Sequence, residues 1–161
     1  MTSPGVPLVT FELPAVARSV GTARRWVRAF AGEHGGGPEL QDRVSSALTE
    51  AFANAVLHAY VAPDEGRIDV AADIEDDALE IVVLDNGSGL RPSPSDRQGV
   101  GMGFGIIAST ADAFAIRERM PQGTEVCVDI ADRDNTPQTN GLISGGEVLD
   151  RDREKQCARQ A

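Results

Sequence analysis

Glu50, Asn54 and His58 stand four residues apart in the run Leu48-Thr49-Glu50-Ala51-Phe52-Ala53-Asn54-Ala55-Val56-Leu57-His58. On a helix this spacing stacks the three side chains on one face. A carboxylate beside an amide in an otherwise apolar helix is costly to bury unless it has partners or a function. Taken alone, the stripe also fits a solvated helix edge, and His58 a hydrogen-bonded structural histidine. A second cluster, Asp85-Asn86-Gly87-Ser88-Gly89, directly follows an apolar run. An aspartate at the end of a sheet accepts a hydrogen bond from an exocyclic amine, and the glycines let main chain approach a flat ring. An ordinary Asx turn shares that pattern. The third cluster, Gly99-Val100-Gly101-Met102-Gly103-Phe104-Gly105, leads into apolar residues from Ile106. Glycines opening a helix present unencumbered amides and a favourable dipole to phosphate oxygens. No Gly-Lys-Ser/Thr follows, and the strand-turn-helix context and downstream acid of a dinucleotide fingerprint are missing, so neither of those schemes applies.

The elements that hold these clusters follow from periodicity. Leu8 to Leu13 alternates as a short strand that Pro14 stops. Val16, Val20, Ala23, Trp26, Val27 and Phe30 predict a helix over 15–32, and Leu40, Val44, Ala47, Leu48, Ala51, Ala55 and Val56 a second one reaching about Tyr60. Ile68, Val70, Ala72 and Ile74 alternate as a half-buried strand, Glu75-Asp76-Asp77 turns, and Leu79 to Leu84 reads as a central strand. Residues 85–105, rich in Gly, Pro and Ser, form a long loop. A short helix is expected at 103–112, then strands at 113–119 and 124–131 around Pro121-Gln122-Gly123. The pattern is α+β: a two-layer sandwich with helices on one face of a mixed, mostly antiparallel sheet.

The 161 residues make one domain, and with 41% apolar residues the stretch to about residue 131 can bury a core without staples. Residues 1–7 are expected to be loose. Residues 132–161, with polar composition and no periodicity, are expected to be a disordered tail. A net charge of −10 is the opposite of a nucleic-acid binder's footprint. The absence of a leader pattern or a membrane-length apolar run points to a cytoplasmic protein with no membrane partner. Cys127 and Cys157 lie too far apart in sequence for a metal or redox motif and are expected to be free thiols.

Taken in order, helix with Glu and Asn, hairpin, Asp-x-Gly-x-Gly, long loop, glycine series and Gly123-Thr124 resemble the ATP-binding domain of the GHKL superfamily, shared by gyrase, histidine kinases and MutL. Leu48 to Tyr60 and Gly101-Met102-Gly103-Phe104 look most like the bacterial anti-sigma-factor serine kinases of the RsbW and sporulation type. The resemblance covers about residues 8–131.

It implies the Bergerat-type fold, with ATP between sheet and helices under a lid and Mg²⁺ joining the phosphates to the protein. Carried over, Asn54 ligates Mg²⁺ through its amide oxygen and Glu50 is the general base for an attacking serine. Asp85 holds the adenine amine, Gly87 and Gly89 admit the base, and Thr124 closes its pocket. Gly101 and Gly103 offer amides to the phosphates, flanked by Met102 and Phe104. The expected lid, 90–101, is short; its Arg97 either reaches a γ-phosphate or is solvated. The family binds a sigma factor and phosphorylates an anti-sigma-factor antagonist (STAS-type), usually as a homodimer. Arg24, Arg25 and Arg28 gather on the first helix while residues 64–85 carry nine acidic side chains against one basic, a polarity that steers docking through Arg24 and Arg28 or merely solvates two surfaces. The expectation is an ATP-dependent protein-serine kinase that sequesters a sigma factor. The alternatives are a nucleotide-dependent switch without catalysis and a histidine-kinase catalytic domain detached from its phosphoacceptor helices.

Overall fold

The computed structural model describes residues 9–58, 66–75, 77–88 and 100–134. In chain order they form β1 (Val9–Pro14), α1 (Ala17–Glu33), α2 (Pro38–His58), β2 (Arg67–Glu75), β3 (Ala78–Asp85), α3 (Val100–Thr110), β4 (Ala113–Glu118) and β5 (Thr124–Ala131). One five-stranded sheet in the order β1-β2-β3-β5-β4 carries the three helices. This is the expected two-layer α+β sandwich, and every strand pairing in it is antiparallel. The parallel component of a mixed sheet is absent from these pairings because β5 inserts between β3 and β4, which run the same way.

Alternation decides which side chains meet the helices. Along β3 the buried positions are Leu79, Ile81, Val83 and Asp85, and along β5 Val126, Val128 and Ile130 continue the layer. The helices answer with Ala23, Val27 and Phe30 from α1, Val44, Leu48, Ala51 and Phe52 from α2, and Ile107 from α3. Trp26 fastens α1 to β1 through Phe11, their ring centroids 4.2 Å apart.

Several boundaries differ from the sequence expectation. Pro14 ends β1 inside the sheet, opposite Arg67, which an edge strand tolerates because it has one unpaired side. α1 stops where Gly35 takes a φ of 88° and the Gly36 N–H returns to the Ala31 carbonyl at 2.8 Å. Pro38 opens α2 with Glu39 in its first turn, a favourable pairing with the helix dipole. α3 runs from Val100 to Thr110 rather than over 103–112, so Gly101 also lies within the helix. Asp132 and Arg133 are bonded to the body of the domain, the first through its N–H to the Asp77 carbonyl, the second to Asp112 and Glu39. The remainder of the expected tail, the expected loose N-terminus of residues 1–7, Leu8 of the expected first strand, and residues 59–65 lie outside the described residues. Cys127 is disulfide-bonded rather than the expected free thiol; Cys157 lies outside the described residues. No helix among the described residues is long and apolar enough to cross a membrane.

Arg43 joins α2 to the ends of α3 and β5 and to Asp112 between α3 and β4. It donates from Nε to the Thr110 carbonyl at 3.1 Å, from Nη1 to the Ala131 carbonyl at 2.9 Å, and from Nη2 to Asp112 Oδ2 at 2.9 Å. Burial alone would push the Asp112 carboxyl up, but the Ala131 N–H, Arg43 and Arg133 outweigh it and hold the group below its ordinary value. Arg43→Met strands two backbone carbonyls and a carboxylate; the expected cost is about 2–3 kcal/mol by denaturant unfolding. With the folded Asp112 value depressed, that stabilisation is full above the ordinary aspartate value and fades as pH falls through the folded one. The gap between wild type and variant therefore narrows in acid.

Candidate functional site

The inward row of β3 is apolar until its last member. Asp85 occupies the position where Leu79, Ile81 and Val83 bury their side chains, and it is itself only 5% exposed. Register places it directly opposite Thr124 of β5, so the two side chains share the helix-facing side of the sheet. Asp85 Oδ1 accepts the Gly87 N–H at 2.9 Å and the Thr124 N–H at 3.2 Å. The second bond orients the carboxylate across the strand pair. Burial raises the Asp85 pKa above the ordinary value, opposed by the Gly87 and Thr124 N–H groups, the charge of Arg119 and the Thr124 side chain. A buried acceptor at the rim of a core, oriented through one oxygen, suits a ligand amine.

Gly123 completes that rim. Its φ is 113°, and a Cβ there would stand 2.1 Å from the Asp85 carbonyl oxygen, so only glycine fits. The same turn brings Arg119, whose Nη1 donates to the Asp85 carbonyl at 3.0 Å, and Gln122, whose Nε2 donates to the Asn86 carbonyl at 2.9 Å. Sequence reading missed Arg119 and Arg43. The side-chain partners of each lie far away along the chain, so no local pattern marks it.

Glu50 lines a groove of about 540 Å³ with Arg24 and Arg28 of α1, Asp42, Ser45, Ser46 and Thr49 of α2, and Ile106 of α3. Arg28 is ion-paired with Asp42 across the two helices. Arg43 of α2 meets Thr110 near the end of α3, and Glu50 shares the groove with Ile106, so the two helices run antiparallel. One further turn along α2 carries Asn54, and the first turn of α3 carries Gly101 and Gly103. Those first-turn N–H groups have no partner within the helix. Asn54 is half-buried. Of His58, and of residues 100–104, only the helical backbone is described; Gly89 and Arg97 lie outside the described residues.

The donor set matches a magnesium nucleotide. Asp85 and Thr124 offer a buried acceptor and a hydroxyl for a purine amine, the first turn of α3 offers amides for anionic oxygens, and the Asn54 amide oxygen is a hard ligand of the kind a partly hydrated Mg²⁺ accepts.

The family described as Histidine kinase-like ATPase domain matches residues 13–130. The chain is 32% identical over 127 residues to the anti-sigma F factor of Clostridium acetobutylicum, covering 71% of this chain and 88% of that protein. It is 29% identical over 100 residues to the anti-sigma F factor of Clostridium beijerinckii, covering 56% and 69% respectively. The crystal structure of the RsbU and RsbW domains of Rv1364c from Mycobacterium tuberculosis superposes with a TM-score of 0.62 at 22% identity, over 78% of this chain and 32% of that one, which bears on the fold alone. The α+β sandwich, the motif order and the family match converge: the chain belongs to the histidine kinase-like ATPase domain family.

Proposed function

We propose that the protein is an ATP- and Mg²⁺-dependent protein-serine kinase that binds a sigma factor and phosphorylates that factor's antagonist protein, acting in the cytoplasm as a homodimer. The observation that carries this reading is the buried Asp85 at the end of an apolar strand row, oriented by Gly87 and Thr124, together with Glu50 in a groove beside α3. The names of the relatives, anti-sigma F factors, support the sigma-factor half.

In this reading Asp85 receives the adenine amine, Gly87 and Gly89 admit the ring, and Thr124 closes the pocket. Gly101 and Gly103 give backbone N–H groups to the phosphates beside Met102 and Phe104, and Arg97 approaches the terminal phosphate. Asn54 would hold Mg²⁺, which when bound neutralises phosphate charge. Glu50 takes the proton of the acceptor serine as its oxygen bonds to the γ-phosphorus and the bond to the β-phosphate oxygen breaks, releasing ADP. Arg24 and Arg28 share the groove with Glu50, so an acidic partner surface docked on them brings a serine toward the base.

The test is transfer of labelled γ-phosphate from ATP to candidate antagonist proteins captured with the chain from its native cell. Acid-stable label on an antagonist serine, together with nucleotide-dependent capture of a sigma factor, is the expected result. Acid-labile label points to histidine transfer, and nucleotide binding without transfer to a binding switch; either rejects the serine-kinase reading.

A further inference from the structure

The turn between β4 and β5 closes on the end of β3 at three points: the Arg119 guanidinium on the Asp85 carbonyl, the Gln122 amide on the Asn86 carbonyl, and Gly123 against the Asp85 main chain. The turn is itself fastened by the Arg119 N–H, which donates to the Gly123 carbonyl at 3.0 Å. Of the residues 119–123, Arg119 alone carries a charge. We propose that Arg119 is a positioning residue of the nucleotide site: through the Asp85 carbonyl it fixes the end of β3, and it sets its positive charge beside the carboxylate that receives the purine amine. The inference rests on the reading of Asp85 as purine anchor.

Two effects belong to this one side chain. Its hydrogen bond limits how far the Asp85 main chain shifts when a ligand enters, and its charge favours the ionised carboxyl against the burial that disfavours it. Other charges on the surrounding elements are directed elsewhere. On β2, Arg67 is paired with Glu12 of β1; on β5, Glu125 is paired with Arg117 of β4; Glu118, opposite Thr124 on β4, is exposed; and Glu50 of α2 lines the groove beside Ile106. Among the described residues Arg119 is the charge acting on Asp85. Without it, burial goes less opposed, and Asp85 takes up its proton at a higher pH. A protonated carboxyl is a poorer acceptor for the purine amine.

The experiment measures Mg·ATP affinity of the full chain by titration calorimetry from mildly alkaline to acidic pH, for wild type, Arg119→Lys, Arg119→Gln and Arg119→Met. Arg119→Met is expected to weaken binding about tenfold at neutral pH and to move the acid loss of affinity to higher pH. Arg119→Lys keeps the charge and the wild-type pH profile. Arg119→Gln keeps a donor for the carbonyl, so its affinity in alkali stays near wild type while its profile shifts as in Arg119→Met. A purely structural role for Arg119 changes affinity by one factor at every pH and leaves the profile in place; that result, or no change at all, overturns the inference. Should Arg119→Met fail to fold, the Lys and Gln variants carry the same comparison. If the wild-type chain binds no ATP, the purine reading falls and this inference falls with it; wild-type binding with unshifted variant profiles removes this inference alone.

Discussion

Glu50→Gln is expected to lower the rate of phosphoryl transfer to an acceptor serine by about 10²–10⁴-fold while ATP binding is retained. The carboxamide has the size and shape of the carboxylate but does not accept the serine proton at neutral pH. Glu50 is half-buried in a groove lined mainly by polar side chains, and it lies on the stripe that flanks the buried Ala47, Ala51 and Ala55 rather than within it. Replacing it therefore leaves the core of α2 intact, and the folded state is expected to tolerate the change. The measurement is single-turnover transfer of labelled phosphate at saturating ATP, with affinity determined in parallel. Equal rates for wild type and variant remove Glu50 as the base. Loss of rate and of affinity together assigns it to binding instead.

The second large effect is at Asp85, where function and stability are expected to move in opposite directions. In Asp85→Asn the side-chain oxygen keeps the bonds from the Gly87 and Thr124 N–H groups. That turns the amide nitrogen toward the ligand, so a donor faces the adenine amine where an acceptor is required. The lost charge-assisted bond and the donor against donor contact together are expected to weaken ATP binding by about 100-fold or more. Stability follows the opposite sign. Burial raises the folded-state pKa of Asp85 above its ordinary 3.8, so the folded chain favours the protonated form. The stability associated with that proton is complete below 3.8 and is lost as pH rises through the folded value. The neutral amide escapes the loss. Asp85→Asn is thus expected to melt together with wild type in acid and above it at neutral pH, as thermal unfolding across that range will record. A variant that loses ATP binding and also melts lower at neutral pH places the aspartate in the fold rather than in the site.

Much of this site was legible because its residues interrupt patterns. Asp85 ends an apolar strand run, and Glu50 and Asn54 break an apolar helix at a regular interval, so alternation and helical spacing marked both the elements and the exceptions on them. The β2–β3 hairpin and the β4–β5 pair followed from the same alternation. The start of α3 was less legible: each glycine in a helix interior costs about 1 kcal/mol relative to alanine, so a run of alternating glycines argues for loop until packing against α2 is known. Val100 to Met102 therefore read as loop in sequence and as helix in structure. Arg43 and Arg119 were not legible at all. Each acts on main-chain carbonyls, which any sequence supplies, and nothing in the identity of Thr110, Ala131 or Asp85 announces an arginine partner. The all-antiparallel sheet depended on β5 inserting between β3 and β4, a matter of topology that periodicity does not encode.

The account depends on one pocket that holds a purine by Asp85 and presents the other end of the nucleotide to Glu50. Titration calorimetry of the wild-type chain with Mg·ATP, alongside Asp85→Asn and Glu50→Gln, tests it most directly. The account predicts saturable binding at one site per chain for wild type and Glu50→Gln, with the signal abolished in Asp85→Asn. No saturable heat from the wild-type chain, or undiminished binding by Asp85→Asn, contradicts it.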